Sequence, residues 1–185
     1  PGQPTLEELL NLYRFRSINA DTRVYGVIGW PVAQSRSPHI HNASFEAIEH
    51  NGVYLPLPVI EGWESFKATL GALLDDQHLD FAGCSVTIPH KEHLLRFARE
   101  DQSRDWTIDP IADRIGAANT LVVRAGEEGG TGGCSLHNTD AEGILAPLRA
   151  RLGTLEGVRI GIIGAGGAAR AAAVSLADAG ATILI

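Results

Sequence analysis

The sequence predicts an α/β protein, and three observations carry the prediction. Short apolar runs alternate with stretches of helical periodicity along most of the 185 residues, the pattern of largely parallel strands linked through helices. Two apolar runs stop at a proline, Trp30-Pro31 and Ile88-Pro89, where a strand loses its hydrogen-bond donor and a new element can begin. Near the end, a third run passes through a glycine turn into an alanine-rich helix, from Ile160 to Ala169 and beyond.

Taken in order, residues 4–13 read as a short helix. Thr5 is its N-cap, Glu8 the capping-box partner three places on, and Leu6, Leu9, Leu10 and Tyr13 share one face. Residues 14–23 are polar and read as a linker. Residues 24–29 form a strand, 35–38 a loop, and Pro38 suits the first turn of a helix that runs to about His50 and stops at Asn51-Gly52. Residues 53–60 are extended and 63–74 helical. A second buried strand covers 81–88, followed by a helix from Lys91 to Ala98. Residues 108–115 read as a short helix and 119–124 as a strand. Residues 125–133 read as a glycine-rich, acidic turn leading to Cys134-Ser135-Leu136. A helix covers 140–151, a strand 159–164, a helix runs to about Ala179, and 181–185 begin another strand.

Composition removes several function classes. The net charge is −7, and lysine occurs only at Lys67 and Lys91. Neither the basic stripe of a nucleic-acid binder nor the polybasic cluster of a membrane-surface protein is present in the sequence. No run reaches the roughly 18 apolar residues of a membrane span. The start, Pro1-Gly2-Gln3, lacks the charged-then-apolar order of a signal peptide. Cys84 and Cys134 stand in no metal spacing and are expected as buried free thiols in a reducing cytoplasm. No metal is expected.

Five short segments carry chemistry. In the first, strand 159–164 enters G-x-G-x-x-A, with Gly164, Ala165, Gly166, Gly167, Ala168 and Ala169 leading into a helix. Gly164 allows the tight turn, Gly166 lets backbone approach a pyrophosphate, and Ala169 packs closely. The free amides of the helix start bind phosphate oxygens. The residue that reads the ribose falls about 20 positions past the first glycine, at or just beyond Ile185, so the sequence stops where NAD and NADP would be told apart. In the second, Ser85-Val86-Thr87-Ile88-Pro89-His90-Lys91, a lysine emerges at a helix start. The helix dipole and a dry pocket both favour its uncharged form, so it can serve as a general acid or base; the plainer reading is an exposed lysine at a helix end. In the third, His137-Asn138-Thr139-Asp140, the aspartate is either an N-cap or the partner of that lysine in proton transfer. In the fourth, Gly116-Ala117-Ala118-Asn119-Thr120, Asn119 is a hydroxyl reader or a turn residue. In the fifth, Gln34-Ser35-Arg36-Ser37-Pro38, the serines bind hydroxyl or carboxylate groups, or cap the next helix.

In this order the segments resemble one family. Gly26-Val27-Ile28-Gly29-x-Pro31-x4-Arg36-Ser37-Pro38 is similar to the opening of shikimate dehydrogenases. The second segment is similar to that family's N-V-T-x-P-x-K. Gly116 to Thr120 matches G-A-x-N-T, Asn138-Thr139-Asp140-x-x-Gly143 matches N-T-D-x-x-G, and Gly164 to Ala168 matches G-A-G-G-A. The resemblance covers roughly residues 20–185. It implies an NADP-dependent enzyme that reversibly reduces 3-dehydroshikimate to shikimate in aromatic amino-acid biosynthesis. The implied fold is a mixed-sheet, α/β substrate-binding domain over 21–145, followed by the truncated start of a Rossmann NADP-binding domain over 146–185. Lys91 and Asp140 would be the catalytic pair, Ser35 and Ser37 would bind the substrate carboxylate, Thr87 and Asn119 ring hydroxyls, and Gly164, Ala165, Gly166, Gly167 and Ala168 the cofactor. The resemblance is loose over 99–107, and His137 receives no role.

Residues 1–20 resemble something else. Pro1-Gly2-Gln3-Pro4-Thr5 and the following helix look like the end of a type I 3-dehydroquinate dehydratase, and the join at 12–26 resembles fused dehydratase–dehydrogenase proteins. The dehydratase lysine would lie upstream of Pro1, so no dehydratase activity is expected of this chain. The rival expectations are a quinate/shikimate dehydrogenase using NAD and a sensor that binds shikimate without turnover; Lys91 with Asp140 argues against the sensor. The expected partners are the small substrate, a fused dehydratase, and neither nucleic acid nor membrane, with the oligomeric state open.

Overall fold

The computed structural model describes residues 3–125 and 131–185. Pro1, Gly2 and the middle of the acidic turn expected at 125–133 lie outside the described residues. The N-terminal capping box forms as expected: the Thr5 and Glu8 backbone amides donate to Glu8 Oε2 at 2.7 Å and Thr5 Oγ1 at 3.2 Å. The helix it starts is short and widens into a π-type turn over Glu8–Leu12, and a 3-10 turn, Phe15–Ser17, occupies part of the expected linker.

The main sheet is built from β1 (Arg23–Gly29), β2 (Gly52–Pro58), β3 (Phe81–Val86), β4 (Trp106–Ile108), β5 (Thr120–Ala125) and β6 (Thr131–His137). Its spatial order is β2-β1-β3-β5-β6-β4. The alternation of elements predicts mostly parallel pairing. Here β1 runs parallel to β2 and β3, and β4 parallel to β6, but β5 is antiparallel to both β3 and β6. The mixed sheet therefore agrees with the family resemblance and corrects the plain alternation argument. The physical reason is connection length: β5 ends at 125 and β6 begins at 131, too few residues for the crossover a parallel pair requires. Gly83, with φ 139°, sits where β3 crosses β5, and a Cβ there would collide with the Leu121 carbonyl.

Helices α1 (Ser37–Ala47), α2 (Trp63–Asp75) and α3 (Lys91–Glu100) connect the parallel strands, and α4 (Pro110–Ile115) and α5 (Asp140–Leu152) follow β4 and β6. Ile28, Phe66, Leu70, Leu94, Leu95, Leu121 and Leu136 are fully buried in one cluster between sheet and helices. Helix α1 ends three residues before the expected His50, and Glu49 turns the chain with φ 55°. Strand β4 falls at the edge of a segment expected to be helical. Three residues are too few to show a period of two, and Asp109 Oδ1 accepts from Ile111 N at 3.1 Å, which starts α4 only at Pro110.

A second, two-stranded parallel sheet pairs β7 (Arg159–Gly161) with β8 (Thr182–Leu184) around α6 (Gly167–Asp178). β7 is three residues shorter than expected. Helix α6 packs on α4 and α5 through Ile115, Ala117, Ala141 and Ala171. Arg114 also grips Asp178 with two bonds of 2.8 and 2.9 Å. Among the described residues no helix is long and apolar enough to cross a membrane, and no group of three or more His, Cys, Asp or Glu side chains could hold a metal.

Candidate active site

Three strand ends and two helix starts meet at one point. Lys91 is the first residue of α3 and Asp140 the first of α5. Their side chains are joined, Nζ to Oδ2, at 2.5 Å, and are only 18% and 23% exposed. Asp140 Oδ1 accepts from Asn119 Nδ2 at 2.9 Å, so both carboxylate oxygens are engaged. The Asn119 amide is fixed from its other end, where Oδ1 accepts from Thr139 N at 2.9 Å and Thr120 Oγ1 at 3.0 Å. Its backbone is tied to Val86 and His137. The orientation that aims Nδ2 at Asp140 is thus set by the sheet, and not by a free torsion.

Asn138, 4% exposed, staples the two motifs together. Its Nδ2 donates to Ala117 O at 2.8 Å and its Oδ1 accepts from Asp140 N at 3.1 Å. Ala118 N donates to Lys91 O at 2.9 Å, which anchors the backbone of the lysine. Thr87 lies just past β3, its N–H bound to Ile28 O at 2.8 Å. A Cβ on Gly29 would collide with the Thr87 methyl, so that glycine makes room for the threonine.

These groups open on a cavity of about 330 Å³ lined by all six expected substrate residues: Ser35, Ser37, Thr87, Lys91, Asn119 and Asp140. Ser35 Oγ accepts from Ser37 N at 3.3 Å, the turn service expected of it, while α1 has no side-chain cap bond and the Ser35 hydroxyl hydrogen remains available. The lining also includes Ser85, Thr120 and Thr139, which the motif reading passed over because each stands beside a more distinctive residue. No periodicity singles out Ser85, since Val86 and Thr87 beside it line the same cavity. An amine paired with a carboxylate, in a small pocket of hydroxyls and an amide, can bind a polyhydroxylated ring and exchange a proton with it.

The glycine loop approaches Lys91 at Gly167. Gly164 turns with φ 114°, Gly164, Ala165, Gly166 and Ala168 are exposed, and nothing comes within 4 Å of a Cβ built on Gly164 or Gly166. The first amides of the 12-residue α6 have no acceptor within the helix. Open space, free amides and a helix N-terminus together fit a pyrophosphate. Gly167 touches the site itself: a Cβ there would lie 3.4 Å from Lys91 Cδ and 3.7 Å from Ala117 Cβ. Cys84 and Cys134 are free and buried as expected; burial pushes their thiols up to about 12 and about 11.

A profile of the shikimate dehydrogenase substrate binding domain matches residues 27–121. The chain is 37% identical over 198 aligned positions to the chloroplastic bifunctional 3-dehydroquinate dehydratase/shikimate dehydrogenase of Arabidopsis thaliana, covering 100% of this chain and 30% of that protein. It is 43% identical to the shikimate dehydrogenase (NADP(+)) of Geobacter sp. strain M21, over 89% of this chain and 51% of that one. The shikimate 5-dehydrogenase of Thermus thermophilus, solved in complex with NADP(H) and shikimate, superposes with a TM-score of 0.67 at 34% identity, over 88% of this chain and 54% of that one. The chain thus spans about half the length of the single-function relatives it matches.

Proposed function

Since the chain belongs to the family of shikimate dehydrogenase substrate-binding domains, we propose that it holds the substrate site, and opens the cofactor site, of an NADP-dependent shikimate dehydrogenase. The observation that carries this reading is the Lys91–Asp140 pair, 2.5 Å apart, in one cavity with Ser35, Ser37, Thr87 and Asn119. Ser35 and Ser37 donate to the substrate carboxylate. Thr87 and Asn119 hold ring hydroxyls. Lys91 delivers a proton to the C3 oxygen as the ketone of 3-dehydroshikimate is reduced, and recovers it in the reverse direction. Asp140 holds the lysine in line and accepts from a substrate hydroxyl. Gly164, Ala165, Gly166, Gly167 and Ala168 would hold NADPH, which when bound would supply the hydride.

On this reading residues 21–145 are the substrate-binding part and 146–185 the start of the cofactor-binding part. Residues 1–20 are the tail of a fused dehydratase, a reading supported by the plant relative, whose match extends over the whole chain. The two free thiols suit a reducing compartment such as the cytoplasm. Calorimetry with shikimate tests the substrate site directly. All six substrate residues lie at or before 140, so heat of binding is expected from this chain alone. Folded protein that gives no heat at millimolar shikimate overturns the reading.

A further inference from the structure

The cavity is read as a site for an anion, but its walls offer no spare cation among the described residues. Of the side chains that line it only Lys91 and Asp140 are charged, and the two neutralise each other at 2.5 Å. The protein as a whole carries a net charge of −7, a background that disfavours an incoming carboxylate. Ser35 and Ser37 can donate hydrogen bonds to such a group, but they supply no charge. The nearest cation along the chain is Arg36, which stands between them.

Arg36 does little for the fold. It is exposed, it makes no side-chain cap bond, and no carboxylate pairs with it among the described residues. Its position also works against stability. It occupies the N-cap of the 11-residue α1, where Ser, Thr, Asp and Asn are favoured, and it sets a positive charge against the positive end of the helix dipole. A residue that breaks a local rule without gain to the fold points to a use at a functional site. Both of its neighbours line the cavity. Ser35 Oγ accepts from Ser37 N at 3.3 Å, which closes the turn at Arg36 and keeps the two serines together. Adjacent Cα atoms are about 3.8 Å apart, so the guanidinium charge lies on the order of 10 Å from a group that the serines hold, inside the range of a weakly screened field.

We infer that Arg36 is a specificity-determining residue for the charge of the substrate: its unpaired cation supplies the attraction for a carboxylate that the cavity walls lack. This rests on the reading of Ser35 and Ser37 as carboxylate binders. Calorimetry with shikimate on this chain tests it. Arg36→Asn removes the charge and puts a favoured cap in its place. At about 0.01 M ionic strength, where the Debye length is about 30 Å, this change should weaken affinity about 2- to 4-fold, the effect of one unit charge at roughly 5–10 Å in water. Arg36→Glu doubles the change in charge and should weaken it about 4- to 16-fold. Arg36→Lys keeps the charge and should bind as the parent does. All the gaps should close at about 1 M salt, where the Debye length is about 3 Å. Without ligand, Arg36→Asn should melt at the parent temperature or above it. Arg151→Gln makes the same change in net charge in the last turn of α5, about 16 Å along that helix from Asp140, and should leave the affinity nearly as it is. Equal affinity of Arg36→Asn and parent at low salt overturns the inference and leaves the site reading intact. A loss that persists at 1 M salt, that Arg36→Lys shares, that Arg151→Gln matches, or that comes with a lowered melting temperature overturns it too, because each traces the loss to something other than the local charge. Absence of shikimate binding by the unaltered protein overturns the site reading instead.

Discussion

Helix α3 has a carboxylate–cation pair at each end, and the two differ in an instructive way. At the N-terminal end Lys91 meets Asp140, with 18% and 23% of the side chains exposed. Just past the C-terminal end Arg104 meets Asp101 at 2.8 Å, with 9% and 12% exposed. Burial and pairing are alike, but the surroundings are not. Asp101 Oδ1 accepts from Ser103 N and Oγ, and Oδ2 from Arg104 Nη1 and Trp106 Nε1. All of these donors lie within five residues of the aspartate, and together they occupy both of its oxygens. Asp140 takes one bond from Asn119 and one from the lysine, and both it and Lys91 border open space. A buried ion pair alone does not mark an active site; what sets the Lys91–Asp140 pair apart is its access to a cavity.

That contrast is open to breaking. Lys91→Ala in the complete enzyme is expected to lower turnover by about 10²–10⁴-fold, the usual cost of a positioned acid–base group, with a smaller effect on shikimate affinity because its main interaction develops in the transition state. Near-normal steady-state turnover would reject its role. Asp140→Asn should weaken both affinity and rate, and combined with Lys91→Ala it should lose less than the sum of the two. Additive losses separate the residues.

Asp101→Asn should leave shikimate binding unchanged and cost stability, by about 1–3 kcal/mol at neutral pH for a broken buried network. Here the pH dependence supplies a sign. Burial opposes ionisation, but the hydrogen bonds from Ser103, Arg104 and Trp106 prevail and hold the carboxyl at about 2. A depressed folded value gives stability that is fully present above the unfolded value near 3.9 and lost as pH falls toward 2. The gap between parent and variant in thermal melts should therefore close in that window; a gap independent of pH would contradict the account. The smallest effect belongs to Glu100→Ala, which removes an exposed i,i+4 pair with Arg96 and should cost no more than about 0.5 kcal/mol. A large loss there would mean that exposed pairs on α3 matter as much as the enclosed ones.

Much of this was legible in the sequence because the chemistry sits at element boundaries, where punctuation is strong. Pro89 ends the run that carries Thr87 and puts Lys91 at a helix start, and Gly164 and Gly166 mark the turn before α6. What was not legible depended on partners far along the chain. Asn42 reads as an ordinary helix residue until β2 lies beside it, where it bonds the Tyr54 backbone. Strand β4 has too few residues to show a period, and it exists because β6 offers an edge to pair with. The reversal of β5 was written in the short span between 125 and 131, a matter of length and not of residue type.

The contact between Gly167 and Lys91 limits how this molecule can be rearranged. The glycine loop and the Lys91 side chain have no space to spare between them: a methyl on residue 167 would just touch the lysine stem and Ala117, and a longer side chain directed the same way would have to displace one of them. The halves are thus not interchangeable parts. A chimaera that grafts a different unit after α5 must keep a glycine, or at most an alanine, at this place, or the graft will move the Lys91 side chain.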